Sequence, residues 1–330
     1  MSIIIFFILG YSTSLLFPPY FFFPLGFIIF PFLCFYTERK INYSSKYRLF
    51  NNIFIFAFGF FVNFLFWLQN PFYVFEETKN LFFLSIVLII FLSLIFSIIF
   101  IIITSFNKHL PTIFLIPLIF ILSELIISNI FYGFPWISFS LISSSNEIFS
   151  FSLKNFGTLI TSYLILQIFS LPYLLIRTKL FKFFFINFSF FCFLPLSLIL
   201  IFHFFNYSED NSFKNKINLE IIQLNHKNQI FDNDTDKKIN NILNYISKSN
   251  SDLIIFAENN YPYLIKNLNI NNIQNYLKQN QTVVIGGTRT EADKYYNTLF
   301  NITYNKVSYF DKKILVPFGE FLPFRNFIPF

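Results

Sequence analysis

Charge is what this 330-residue chain has least of. Asp, Glu, Lys and Arg together make up 12% of it, about half the share usual in a soluble domain. Set against 55% hydrophobic residues and a mean hydropathy of +0.58, that scarcity excludes a wholly soluble protein and places the bulk of the chain in lipid. Cysteine is nearly absent too. Cys34 and Cys192, the two present, both lie inside apolar segments. They read as small buried side chains rather than a disulfide, a metal site or a nucleophile. The three histidines, His109, His203 and His226, are scattered without metal-ligand spacing, so no metal and no cofactor is expected. No basic stretch precedes the first apolar segment, which is therefore read as a retained span and not a cleaved signal.

What is abundant is phenylalanine, 56 residues of it. With the many Asn, Ile and Lys it reads as a compositional bias, so no single Phe or Asn carries an argument. The net charge of +7 does not point to nucleic acid. From Asn206 onward 14 Lys/Arg face 12 Asp/Glu; the excess, 10 against 5, lies in the apolar part, mostly in three short loops. That is a topology signal and not a polyanion-binding patch.

Seven apolar segments can be marked: Ile3–Phe17, Tyr20–Tyr36, Phe50–Leu68, Leu81–Thr104, Thr112–Ser128, Asn155–Ile176 and Phe183–Phe205. The loops after the second, fourth and sixth hold eight Lys/Arg: Arg39, Lys40, Lys46, Arg48, Lys108, Arg177, Lys179 and Lys182. The alternate loops hold Lys79 and Lys154. The positive-inside rule then sets the N-terminus in the cytoplasm, and seven crossings carry everything after Asn206 to the outer face. The expected division is a membrane domain of about seven helices over 1–205 and a polar domain over 206–330.

The polar part alternates strands and helices. Ile217–Leu224 and Leu253–Ala257 have buried-strand character; Thr282–Gly286, Asn297–Ile302 and Val307–Phe310 are further strands. Asp232–Ser249 opens with acids and carries Ile239, Ile242, Leu243 and Ile246 at helical spacing. Ile273–Gln279 reads as helical, the Asn-rich stretch Asn267–Asn275 as a surface loop. The pattern is that of an α/β layer. Gly286-Gly287 suggests a bulge or a close backbone approach and lacks the spacing of a phosphate loop.

Few residues are placed for chemistry. Glu258 ends a buried strand, where α/β folds put their sites, and apolar surroundings would suit it to act as a general base. Lys312 offers fixed positive charge for an oxyanion. Glu320 follows Pro317-Phe318-Gly319, eight residues beyond Lys312. Taken singly each also reads as an ordinary surface charge. In the membrane part Glu124 interrupts an apolar helix, a functional hypothesis by default. Gly133-Phe134-Pro135-Trp136 cannot continue a helix and reads as a re-entrant or interfacial turn with Trp136 at headgroup depth.

Set together, these pieces resemble the bacterial apolipoprotein N-acyltransferases, nitrilase-superfamily enzymes of lipoprotein biosynthesis in the cytoplasmic (inner) membrane. Phe310-Asp311-Lys312-Lys313-Ile314-Leu315-Val316-Pro317-Phe318-Gly319-Glu320-Phe321-Leu322-Pro323 resembles that family's segment around its catalytic lysine, and Ala257-Glu258-Asn259-Asn260-Tyr261-Pro262 the segment around its catalytic glutamate. Gly133-Phe134-Pro135-Trp136 behind Glu124, and Gly59-Phe60-Phe61 before Trp67, are similar to membrane motifs of the family.

The resemblance implies a polytopic helical bundle plus a nitrilase-like α-β-β-α domain on the periplasmic side. It implies a Glu-Lys-Cys triad with Glu258 as base, Lys312 as oxyanion partner and Glu320 as a further essential carboxylate. A phospholipid would donate an acyl chain to a cysteine, and a diacylated lipoprotein would accept it; membrane lipids, but no nucleic acid, are the implied partners. The chain also departs from the family. No cysteine follows Lys312, and no final span follows the polar domain; Phe231 or Asp232 stands where a tryptophan is usual, and Leu125 and Ile127 where Trp and Arg are usual. The expectation is a C-terminally truncated sequence, inactive as it stands for want of its nucleophile. The alternative is a non-catalytic homologue that binds lipid or lipoprotein. A transporter would need paired broken helices, which are not evident; a tethered amidase would need one span, not seven.

Overall fold

The computed structural model describes residues 2–177 apart from short breaks, a few positions between 197 and 204, and 216–224 and 235–316 apart from three single positions. The chain divides into two compact units, Met1–Asp210 and Asn211–Phe330. The seventh apolar segment lies almost wholly outside the described residues, as do Cys192, the three histidines and Glu320.

The first unit is helical. Its described helices include α1 (Ser2–Thr13), α2 (Gly26–Tyr43), α3 (Lys46–Phe64), α4 (Phe83–Phe106), α5 (Thr112–Asn129), α6 (Glu147–Ser170) and α7 (Pro172–Arg177). Among the described residues four stretches are long and apolar enough to cross a membrane: Lys46–Phe64, Thr78–Phe106, Thr112–Asn129 and Ser150–Leu175. The first expected span is a shorter apolar helix, and α2 carries Glu38, Arg39 and Lys40 in its last turns. The sixth is not one helix, since Gly157 at φ +76° breaks α6.

The faces of α4 show what surrounds the bundle. Its 24 residues span about 36 Å. Ile89, Leu92, Phe96 and Phe100 pack inward, while Ile86, Val87, Ile90, Leu94, Ile98 and Ile102 stay exposed. A helix apolar on both faces has no stable place at a water interface; lipid must cover the outer one. Its buried hydroxyls bond within the helix, Ser93 and Ser97 each donating to a carbonyl one turn back at 2.7 Å. Because lipid removes the hydrophobic drive between helices, close approach must supply the attraction. A Cβ at Gly10 would sit 1.8 Å from the Phe56 carbonyl oxygen, and one at Gly59 would sit 2.4 Å from that of Phe7. α1 and α3 therefore touch backbone to backbone, which only glycine allows.

The described residues of the second unit form one mixed five-stranded sheet, ordered β1 (Leu219–Ile222), β2 (Leu253–Phe256), β3 (Thr282–Glu291), β4 (Lys294–Thr303), β5 (Val307–Asp311). β1, β2 and β3 run parallel and are joined by the helices α8 (Thr235–Lys248) and α9 (Asn267–Tyr276); β3, β4 and β5 are antiparallel. Ile242 and Ile246 of α8 are fully buried against Ile254, Phe256, Val283, Ile285, Phe300 and Ile302. Each such side chain contributes about 1.5–3 kcal/mol when wholly buried, which is why the apolar stripe of α8 faces the sheet.

Two expectations fail here. Asn267–Asn275 is not a loop but the body of α9, held because Ile273 and Leu277 are buried on the sheet and Asn269 Oδ1 accepts the Lys266 N–H at 3.0 Å. β1 and β2 are buried on one face only: Leu219, Ile221 and Leu299 of the opposite face are exposed, and Leu253, Ile255 and Val284 beside them are half-buried. Among the described residues of the second unit nothing covers that apolar face.

Candidate functional site

In the second unit the geometry gathers around the end of β2. The strand stops at Phe256, and Glu258 stands two residues on. Lys312 follows the last residue of β5. Although 54 positions apart in sequence, Lys312 Nζ lies 3.3 Å from Glu258 Oε1. Asn297 of β4 completes the group: its Nδ2 donates to the same oxygen at 2.8 Å, and its carbonyl accepts the Lys312 backbone N–H at 2.8 Å. The sequence singled out Glu258 and Lys312 and missed Asn297. Its only sequence signal is its place in a strand next to the lysine's, invisible in a chain rich in Asn. Glu258 is not enclosed by apolar groups among the described residues. Its side chain is 61% exposed and that of Lys312 33%, so amide and ammonium donors, not desolvation, define its surroundings.

Local packing explains why Glu258 sits there. The segment after it crosses β3, with Tyr261 N–H donating to the Gly286 carbonyl at 3.3 Å and Ile265 N–H to that of Thr288 at 2.8 Å. A Cβ on Gly287 would meet Ile265 Cδ1 at 2.5 Å. The glycine pair therefore makes a close approach, and β3 runs on to Glu291 rather than ending at it. Tyr261 is buried, and burial pushes its phenol up to about 12. Lys313, by contrast, hangs over the Phe310 ring at 5.9 Å, showing that adjacent lysines at the strand end have separate surroundings.

The membrane unit has its own polar centre. Glu124 is 6% exposed, inside α5. Its Oε1 accepts from Ser138 Oγ at 2.7 Å; its Oε2 accepts from the Phe139 N–H at 3.0 Å and Ser162 Oγ at 3.2 Å. It thus ties α5 to α6 and to the segment after Gly133-Phe134-Pro135-Trp136. The turn begins with Gly133 at φ +76° and Phe134 N–H donating to Ile127 at 3.0 Å. Trp136, 41% exposed, lies against Trp67, with ring centroids 4.8 Å apart. These are the two tryptophans of the chain. Phe17 packs against both Phe64 and Phe139 at centroid distances near 5 Å. The turns after α1, α3 and α5 therefore share one end of the bundle. At the other end Tyr173 Oη donates to Glu38 Oε2 at 2.5 Å, a pairing the sequence did not suggest. Among the described residues no cluster of His, Cys, Asp and Glu could hold a metal ion, and the described cysteine, Cys34, is buried in the bundle.

Comparison with known proteins agrees with both halves. Residues 9–171 match the apolipoprotein N-acyltransferase N-terminal domain. The chain is 26% identical over 346 residues to the apolipoprotein N-acyltransferase of Rickettsia typhi, covering 99% of this chain and 68% of that protein. It is 26% identical to that of Rickettsia prowazekii over 98% of this chain and 67% of the relative. A local match to the Helicobacter pylori protein of the same name is 36% identical over 92 residues, 22% of that protein. The chain thus spans about two thirds of the length of the two Rickettsia relatives. It is a membrane protein, and along nearly its whole length it is similar to the apolipoprotein N-acyltransferases.

Proposed function

We propose that this chain provides the membrane domain and the base-bearing part of the catalytic domain of an enzyme that moves a fatty acyl chain from a phospholipid to the N-terminal amine of diacylglyceryl-cysteine in lipoproteins. The observation that carries the reading is the contact of Lys312 with Glu258 at 3.3 Å, with Asn297 on the same carboxylate oxygen. A carboxylate and an ammonium so placed suit attack by a thiol on an ester. Glu258 takes the thiol proton, and the thiolate attacks the acyl carbonyl carbon. Lys312 steadies the negative oxygen that develops. The C–O bond to the glycerol breaks, the proton from Glu258 goes to the departing oxygen, and lysophospholipid leaves behind a thioester. The lipoprotein amine then attacks the thioester, releases the thiol and becomes an amide.

A nitrilase-like α-β-β-α sandwich is supported by the apolar face of Leu219, Ile221, Leu253, Ile255, Val284 and Leu299, which a second sheet would cover. The loop charges support a cytoplasmic N-terminus and a second unit on the periplasmic side. A reporter active only outside the cytoplasm is then on when fused after Asn211 and off after Lys40; the reverse pattern overturns the orientation. Glu320 remains a proposed essential carboxylate, outside the described residues.

A second reading rests on the first unit alone, a helical bundle whose α4 turns an apolar face to lipid. On that reading the chain binds lipid or lipoprotein without turnover. The test is to express the 330-residue chain alone and with whatever coding sequence follows Phe330, supply phospholipid and a diacylated lipopeptide, and look for triacylated product by mass spectrometry. Product from either form supports the transferase. No product from both, with the lipopeptide still bound, selects the second reading.

A further inference from the structure

Arg289 takes no part in that chemistry, yet it is held more completely than the residues that do. It leaves β3 beside Tyr296, crosses β4 and reaches β5. There Nε donates to Asp311 Oδ1 at 2.8 Å and Nη2 to Oδ2 at 2.5 Å, while Nη1 donates to Glu291 Oε2 at 2.6 Å. Thr298 Oγ1 adds a bond to Asp311 Oδ1 at 2.6 Å. The guanidinium carbon stands 4.5 Å from the ring centroids of both Tyr296 and Tyr309. Only 13% of the Arg289 side chain is exposed. The Arg289 hydrogen bonds hold the Asp311 carboxyl below its ordinary range, and those from Asp311 and Glu291 push the guanidinium still higher, so the pair stays charged near neutrality.

Position gives this pair its meaning. Asp311 is the last residue of β5, and Lys312 comes next. Neighbours on a strand project from opposite faces. Asp311 is gripped on the helix-covered face with Thr298, while Lys312 is delivered to the face of Asn297, where its ammonium meets Glu258. Among the described residues β5 is an edge strand, paired with β4 only, and strand ends at an edge open most easily. An exposed Arg–Asp pair would matter little. Here a bidentate fork stacked between two rings uses what arginine has and lysine lacks.

We propose that Arg289 is a positioning residue that acts through Asp311 to fix the end of β5 and so hold Lys312 against Glu258. The inference rests on the reading of those two residues as oxyanion partner and base, and its first test does not depend on turnover. The full chain, in lipid nanodiscs, is treated with an amine-acylating reagent at neutral pH, and labelling of each lysine is followed by mass spectrometry with Lys313 as internal reference. In the unaltered protein Lys312 labels more slowly than Lys313. Arg289→Lys and the milder Asp311→Asn each raise the Lys312:Lys313 ratio about fivefold, the factor an ordinary exposed ion pair sets. Glu258→Gln gives the same rise, and the double variant Arg289→Lys/Asp311→Asn gives no more than either single one.

A ratio unchanged in Arg289→Lys or Asp311→Asn, in protein whose sheet is folded by circular dichroism, overturns the proposal. So does equal labelling of the two lysines in the unaltered chain. Where triacylated product is formed, Arg289→Lys lowers kcat about tenfold to a hundredfold with KM unchanged, the scale of a displacement of about 1 Å; a raised KM at constant kcat overturns it. If no product forms at all, the acyltransfer reading fails while the labelling result stands on its own.

Discussion

Replacing Lys312 by Met separates a structural ion pair from a catalytic one, because the two roles differ in size. For unit charges 3.3 Å apart the Coulomb energy is about 1 kcal/mol in water and about 5 kcal/mol at an effective dielectric constant of 20. Glu258 at 61% and Lys312 at 33% exposure stand near the aqueous limit, where such pairs net about 0–1 kcal/mol after side-chain ordering. Lys312→Met therefore lowers unfolding stability by no more than about 1 kcal/mol. An oxyanion exists only in the transition state, and losing one donor to it costs about 10²–10³ in rate, roughly 2.7–4 kcal/mol. Lys313→Met leaves both quantities nearly unchanged, since its ammonium lies over Phe310. The measurements are denaturant unfolding and the rate of triacylated lipopeptide formation, made in whichever form of the protein turns over. A stability loss of several kcal/mol in Lys312→Met with a small change in rate would refute the catalytic role. A large rate loss in Lys313→Met, with Lys312→Met near normal, would refute the register of the site.

Three further outcomes are expected. The two tryptophans, 4.8 Å apart, couple as an exciton pair in circular dichroism; Trp67→Phe abolishes the couplet, and Glu124→Ala weakens it by releasing Ser138 and the Phe139 N–H. A couplet untouched by Glu124→Ala removes Glu124 from any part in holding the Trp136 turn. Gly59→Ala forces a Cβ to within 2.4 Å of the Phe7 carbonyl oxygen, so overpacking costs about 1–3 kcal/mol; a thermal midpoint equal to that of the unaltered protein in the same detergent counts against the α1–α3 contact. Finally, Tyr261 titrates near 12 when folded against an ordinary value of about 10. The unfolded phenol ionises first, so the stability this group contributes is complete below about pH 10 and is lost as pH rises toward 12, about 2–3 kcal/mol in all. Tyr261→Phe should lose less stability over that alkaline window, and equal losses would show that the phenol does not titrate there as described.

The sequence by itself separated a lipid-embedded part from a polar part, because hydropathy and charge are sums over residues and need no partner. It also located α8 and all five strands, since a buried stripe at helical spacing and short apolar runs are local patterns. Glu258 and Lys312 were legible because each stands in a segment that resembles a family motif, and the structure brings the two within 3.3 Å. Tertiary structure decided the rest, wherever meaning lies between distant residues. Asn297 joins Glu258 and Lys312 in the candidate site because β4 sets it beside Lys312, and in a chain so rich in Asn nothing local marks it. α9 is a helix because the sheet buries Ile273 and Leu277, a contact that its Asn-rich composition conceals. Gly10 and Gly59 are distinguished by facing each other's helix backbones, and Arg289 by reaching over β4 to Asp311 at the end of β5. Such pairings depend on which strand lies beside which and which helix faces which, and that information exists only once the chain has closed its long loops.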